Sequence, residues 1–329
     1  MKRCILILIM LFLLIPIVAG DSLEVLKNFL LNDGKVAFSG IEVSILYDKP
    51  DFPNISIYKV FSNGKLNIRK EYLSPPSLFG RIIVDNGKYQ YDFDPEKRMV
   101  MISPTQFFGA NKEEIDKRWE LVKKNFLINS EREEIFLGRK THVILVISKY
   151  TKKPVLRMWI DGEEYLPLRK DKFNSDGNLI GKTMFMEINF DAKISDSFFE
   201  LEFLKDRNIK IEEMRLKEEK KPKKIDAPVN LPLGYTLAKI YIVLEERNIT
   251  YYYKYTDGLN DLSLFVSDYP FRFPGKPTEI GDFEVLYDAN ILWKSVSWRD
   301  GNKFYLLIGD VPYSSLKTFI ETTIRNRTS

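Results

Sequence analysis

Hydrophobic and polar positions alternate along most of this chain, and the alternation breaks repeatedly on Asn, Asp and Gly. Ile41, Val43, Ile45 and Tyr47 fall on one side of an extended segment, with Glu42 and Ser44 on the other. Similar runs cover residues 55–61, 66–73, 81–84, 88–93 and 98–102, with Asn63-Gly64 and Asp85-Asn86-Gly87 among the breaks. Such residues accept positive φ at low cost, so the breaks predict hairpins. Hairpins at this spacing predict one large antiparallel sheet.

Residues 157–190 show the pattern most clearly. Three runs, 157–160, 165–173 and 179–190, are separated by Asp161-Gly162 and by residues 174–178. They form an antiparallel meander carrying Trp159, Leu166, Leu168, Phe173, Met184, Phe185, Met186, Ile188 and Phe190. No run offers a nucleophile–base pair or a metal-ligand spacing. The segment has the character of a wall around an apolar space.

Three stretches change period. Leu23, Leu26, Phe29 and Leu30 recur at helical spacing and stop at Asn32-Asp33-Gly34. Ile115, Trp119, Val122 and Phe126 do the same within 113–127, with Lys and Glu on the far side, which predicts an amphipathic helix lying across the sheet. The last, 312–324, starts on Pro312 and carries Leu316, Phe319, Ile320 and Thr323 as its buried stripe. Further strands are expected at 134–137, 141–150, 238–244, 250–255, 262–267 and 304–308. The fold class is α+β, mainly β.

Residues 205–226 carry KEEKKPKK and few large apolar groups, the composition of a solvated linker. The expected organisation is therefore a first unit over 21–204, a charged linker over 205–228 and a small α+β unit over 229–329. Residues 1–20 combine Lys2 and Arg3, an apolar run from Ile5 to Val18 and the small pair Ala19-Gly20, the layout of a cleaved signal peptide. The run is shorter than the roughly 20 residues that span a bilayer. No cysteine follows it, so a lipoprotein leader is not expected. The protein is expected to be exported.

Composition narrows the chemistry. The single cysteine, Cys4, lies in the leader, so disulfides and thiol chemistry are not expected in the mature chain. His142 is the one histidine and sits in a strand-like run, where a packed or hydrogen-bonded sheet residue is expected. Asp161, Glu163 and Glu164 offer adjacent carboxylates, but at a hairpin turn, where acidic residues are routine. No phosphate-binding, dinucleotide or nucleophile-elbow motif occurs. The net charge of +4 is too small for a global nucleic-acid footprint. An enzyme is not expected, nor is a cofactor or a metal.

Aromatic and methionine-rich strands point to ligand binding. Tyr89, Tyr91 and Phe93 alternate on one face, as do Met99 and Met101 on the next strand. If helix covers a wide sheet only in part, the remaining concavity is apolar and accepts acyl chains, and methionine adapts to irregular ligands. The candidate cavity residues are Tyr89, Tyr91, Phe93, Met99, Met101, Trp119, Trp159, Met184 and Met186. Plain core packing is the competing assignment for each.

Several motifs together resemble a known family. Trp159-Ile160-Asp161, then Leu166-Pro167-Leu168-Arg169, then Asp176-Gly177 and a strand ending in Phe190, are similar to periplasmic sigma-factor regulators of the MucB/RseB type. The carriers LolA and LolB share the half-barrel. In the last third, Leu231-Pro232, Gly234-Tyr235 and the hairpin Tyr255, Asp257, Gly258, Leu259, Leu262, Ser263, Leu264, Phe265 and Val266 resemble the family's small second domain. The resemblance implies a LolA-like half-barrel covered by helix. It implies binding of the extracytoplasmic segment of a membrane anti-sigma factor, and release by a lipid or lipopolysaccharide-like signal in the cavity, within an envelope-stress pathway. Tyr255, Asp257 and Gly258 are the partner-binding candidates. A periplasmic lipid or lipoprotein carrier is the alternative, and an exported hydrolase a distant third. Self-association stays open, and residues 269–281 match nothing in the family pattern.

Overall fold

The computed structural model describes residues 19–48, 52–105, 112–206, 208–213, 216–219, 227–245, 248–290 and 292–325. The leader expected over 1–20 falls almost wholly outside them. After helix α1 (Ala19–Asn32), six strands run as a meander: β1 (Ala37–Leu46), β2 (Asn54–Asn63), β3 (Ile68–Ser74), β4 (Ile82–Asp85), β5 (Tyr89–Asp94) and β6 (Met99–Pro104). The chain then passes through α2 (Lys112–Asn125) and returns as a second meander. Its strands are β7 (Phe126–Phe136), β8 (Arg139–Ser148), β9 (Pro154–Asp161), β10 (Pro167–Phe173) and β11 (Leu179–Asn189). The meanders join where β1 pairs antiparallel with β11, and β12 (Lys210–Glu213) adds a parallel edge beside β6. The result is one twelve-stranded sheet, in the order β12-β6-β5-β4-β3-β2-β1-β11-β10-β9-β8-β7.

Helix covers only one side of that sheet's width. Val25, Leu26 and Leu30 of α1 pack with Trp119 and Val122 of α2 onto Phe126, Ile144, Val146, Met158 and Ile160, all buried. Burying each such side chain contributes about 2 kcal/mol, so this contact fixes both helices over β7, β8 and β9. Beyond α1 the face formed by β1 to β4, β10 and β11 carries a smaller cluster, with Phe38, Val60, Leu168 and Phe185 among its members. The half-covered sheet is what leaves room for a cavity.

The second sheet holds β13 (Leu216–Glu218), β14 (Thr236–Glu245), β15 (Asn248–Thr256), β16 (Asp261–Ser267), β17 (Lys276–Ile280), β18 (Phe283–Ala289), β19 (Lys294–Asp300) and β20 (Lys303–Gly309). Their order is β13-β14-β15-β16-β20-β19-β18-β17. Helix α3 (Leu316–Arg325) lays Leu316, Phe319 and Ile320 onto a core that includes Tyr253, Tyr255, Leu264 and Tyr305. A short 3-10 turn, Tyr313–Ser315, precedes it, with Pro312 as its N-cap.

Two differences from the pattern reading have simple causes. The charged stretch read as a linker contributes β12 and β13, one edge strand to each sheet. Both are short and charge-rich, a composition common on sheet edges because it discourages further pairing. The rest of its charge run, 220–226, lies outside the described residues. The unmatched segment 269–281 ends in β17, which with β18 and β19 widens the second sheet. The structure thus has the expected class: mainly β, with two open sheets, antiparallel but for the β12 edge, and few helices among the described residues.

Candidate functional site

Two chambers open on the uncovered part of the large sheet. The first, about 320 Å³, lies between the end of α1, represented by Phe29, Asn32 and Asp33, and a floor that includes Phe38, Val60, Ile68, Leu168 and Phe185. The second, also about 320 Å³, continues along the strands past Leu46, Leu156 and Met158 and meets Leu259 and Asn260 of the second sheet. Phe29, Lys170 and Thr183 line both, so the chambers adjoin. The register explains the shared floor. Thr183 lies opposite Lys170 on one side and Ser44 on the other, and Gly181 lies between Lys172 and Leu46.

A few polar groups interrupt this lining. Glu42 is buried and accepts a 2.8 Å hydrogen bond from the Tyr58 hydroxyl. Burial raises the Tyr58 phenol well above its ordinary range, and the Glu42 charge adds to the effect. The Lys70 ammonium lies 4.9 Å from the Tyr58 ring centroid. Burial pushes the Lys70 pKa below its ordinary value; Glu42 opposes that shift and Lys170 reinforces it. An apolar trough with cations along its floor can take an acyl chain and hold an acidic head group.

Of the nine cavity candidates, Met184 alone lines either chamber. Tyr89, Tyr91 and Phe93 project from the opposite face. The pairing runs Val60–Lys70–Ile83–Asp92 across one face, while Phe61–Arg69–Val84–Tyr91 runs across the other. On that outer face Phe61 and Arg69 pack on Phe198 instead. Met99 and Met101 sit near the edge by β12, with Met101 exposed, and Met186 is exposed at a bulge in β11. Trp119 is core beneath the helices. Trp159 is buried with the Arg169 guanidinium 4.0 Å from its ring centroid. The lining residues that pattern reading missed, such as Val60, Ile68 and Lys70, were accessible by carrying the pairing across from Asn63-Gly64.

Of the partner-binding candidates, Asp257 and Gly258 meet α2, while Tyr255 lies in the core of the second sheet. Tyr255 is fully buried and its hydroxyl donates a 2.6 Å bond to the Pro228 carbonyl. The Asp257 carboxylate accepts from the backbone N–H groups of Leu259 and Asn260, shaping the turn. Burial pushes its pKa up. Gly258 has φ +108°, and a Cβ there would stand 2.9 Å from the Val122 amide nitrogen in α2. The Asn125 side chain at the end of α2 donates to the carbonyls of Asp257 (2.8 Å) and Gly234 (3.1 Å), and accepts from the Tyr150 hydroxyl. Arg118 adds a buried hydrogen bond to Thr256, and Asp310 accepts the Ser175 N–H at 2.9 Å.

Comparison with known proteins follows the same division. Residues 55–203 match the MucB/RseB N-terminal domain. The whole two-sheet arrangement is similar to a crystal structure of MucB in complex with MucA(peri), with a TM-score of 0.60 at 16% identity over 92% of this chain and 97% of that one. The Pseudomonas aeruginosa MucA/MucB complex gives a TM-score of 0.59 at 16% identity, and a crystal structure of MucB gives 0.54 at 16%, each with 92% and 97% coverage. No curated protein sequence matches the chain.

Within the matched segment the W-I-D motif has a structural task. Asp161 is buried and accepts from the N–H groups of Glu163 and Glu164 and from the Arg139 guanidinium. Burial alone would raise its pKa, but Arg139 and the two N–H groups outweigh that and hold it below the usual carboxylate value. The three carboxylates are thus a turn and an ion pair. His142 pairs across the strand with Glu133, its Nδ1 3.6 Å from the carboxylate. Among the described residues no group of three or more His, Cys, Asp or Glu side chains could hold a metal ion, and no helix is long and apolar enough to cross a membrane.

Proposed function

We propose that this protein is an exported, non-enzymatic regulator. It holds the extracytoplasmic part of an anti-sigma factor and takes a lipid-like signal into the trough beside α1, so controlling an envelope-stress sigma factor. The trough carries the reading: two adjoining chambers on the large sheet, apolar in most of their lining, with Lys70 and Lys170 on the floor. The similarity in fold to MucB bound to MucA(peri) supports a partner of that kind.

Regulation then follows from linkage. A lipid releases the partner only if it binds the free form more tightly than the bound form. Co-purification tests the proposal. The mature protein, drawn from detergent-solubilised envelopes, should bring down a single-span membrane protein with a cytoplasmic sigma-binding domain, and added lipid should release it. Recovery of acylated proteins or lipids alone would instead identify a carrier.

A further inference from the structure

Resting on the lipid reading of the trough, we propose that Leu259, a residue of the second sheet's turn, sets the length of acyl chain that the first sheet accepts. The second chamber is walled mainly by the large sheet and α1, but Leu259 and Asn260 reach it from the other unit. Like Val155, Leu156 and Lys172, neither lines the first chamber. Along β10 the lining passes from Leu168 through Lys170 to Lys172, and Lys172 lies opposite Leu156 and Gly181. Leu156 and the neighbouring Val155 are the large-sheet residues that share this end with Leu259, and all three pack against the same core cluster.

A stop must be rigid to measure length, and this one is held from four directions. The Leu259 N–H donates to the Asp257 carboxylate at 2.9 Å. The Asn260 side chain donates to the same carboxylate at 3.0 Å. The Asp257 carbonyl is held by Asn125, and Gly258 sits directly on the α2 backbone. None of these contacts uses the Leu259 side chain. Shortening that side chain therefore lengthens the trough and leaves these contacts in place, although it trims the packing of Leu259 on the core cluster.

Chain length is read as free energy. Each buried methylene contributes about 0.8 kcal/mol, roughly a fourfold gain in affinity, until the chain meets the stop. Replacing leucine by alanine frees space for about the isopropyl group it removes, while tryptophan advances the stop.

The test uses the full mature protein and displacement of a fluorescent fatty acid by saturated lysophosphatidylglycerols, from decanoyl to stearoyl. Wild-type affinity should rise with each added pair of methylenes and then level off. In Leu259→Ala the plateau should move to longer chains, and in Leu259→Trp to shorter ones. Melting curves would identify any variant that fails to fold, and Leu259→Ala suffices by itself. One common plateau for wild type and Leu259→Ala, with binding intact, would overturn the proposal. Absence of binding by every chain to the wild type would overturn the lipid reading itself.

Discussion

The α-carbon of Gly258 rests against the backbone of Val122, so close that a β-carbon would lie 2.9 Å from the Val122 amide nitrogen. A turn of the second sheet is thereby seated on a helix of the first, with no side chain between them. Gly258 also has φ +108°, which L side chains rarely adopt. Gly258→Ala should therefore destabilise the protein by about 1–3 kcal/mol. Hydrogen exchange should place the loss at residues 118–125 and 256–260, with the centres of both sheets unchanged. Uniform loss across both sheets would show that the contact does not act locally.

Asn125 joins the same surfaces by hydrogen bonds. Its amide serves two carbonyls of the other sheet, at Gly234 and Asp257, which an alanine leaves without that donor. Asn125→Ala should cost about 1–3 kcal/mol in urea denaturation. Coupling to Gly258→Ala should be strong, so that the double variant loses less than the sum of the singles. Full additivity would contradict a shared joint.

The ion pair of Asp161 with Arg139 should show in acid. The folded carboxylate is held below the ordinary value of 3.8, so it binds its proton less readily than in the unfolded chain. Its contribution is present above pH 3.8 and lost as the pH falls through the folded value. The stability gap between wild type and Asp161→Asn should therefore close on acidification below that point. A gap that is constant with pH would show that the carboxylate charge plays no part.

Asp310 should behave in the opposite sense. Burial raises its pKa despite the hydrogen bonding of Ser175, so its stabilising contribution is complete below pH 3.8 and declines as the pH rises through the folded value. Asp310→Asn keeps an oxygen acceptor for Ser175 without the buried charge. It should gain stability relative to wild type as pH rises, a trend that pH-dependent melting would test.

How much of this was legible in sequence depended on distance along the chain. Hairpins came through because Asn63-Gly64, Asp85-Asn86-Gly87 and residues 174–178 mark them locally. The meander of 157–190 was placed nearly to its ends. Which face of a strand meets the cavity is not local. Tyr89, Tyr91 and Phe93 alternate as a ligand wall would, yet pairing through β3 and β4 turns them outward. Lys70 carries no local signal of burial, because its environment is assembled from Tyr58, Glu42 and Lys170 on other strands. Tyr255, Asp257 and Gly258 stand out in the sequence as partner-binding candidates, but their spacing does not show that α2 lies against Gly258.

In the proposed mechanism, partner and lipid compete through this fold. Titration calorimetry of the mature protein with the extracytoplasmic segment of the anti-sigma factor proposed as its partner, with and without saturating lysophosphatidylglycerol, tests this. Thr183→Trp, which fills a position common to both chambers, serves as the control. The predicted result is tight binding of the segment to both proteins, weakened by lipid in the wild type and unaffected by it in Thr183→Trp. Binding of the segment that lipid leaves unchanged in the wild type, or no binding at all, would contradict it.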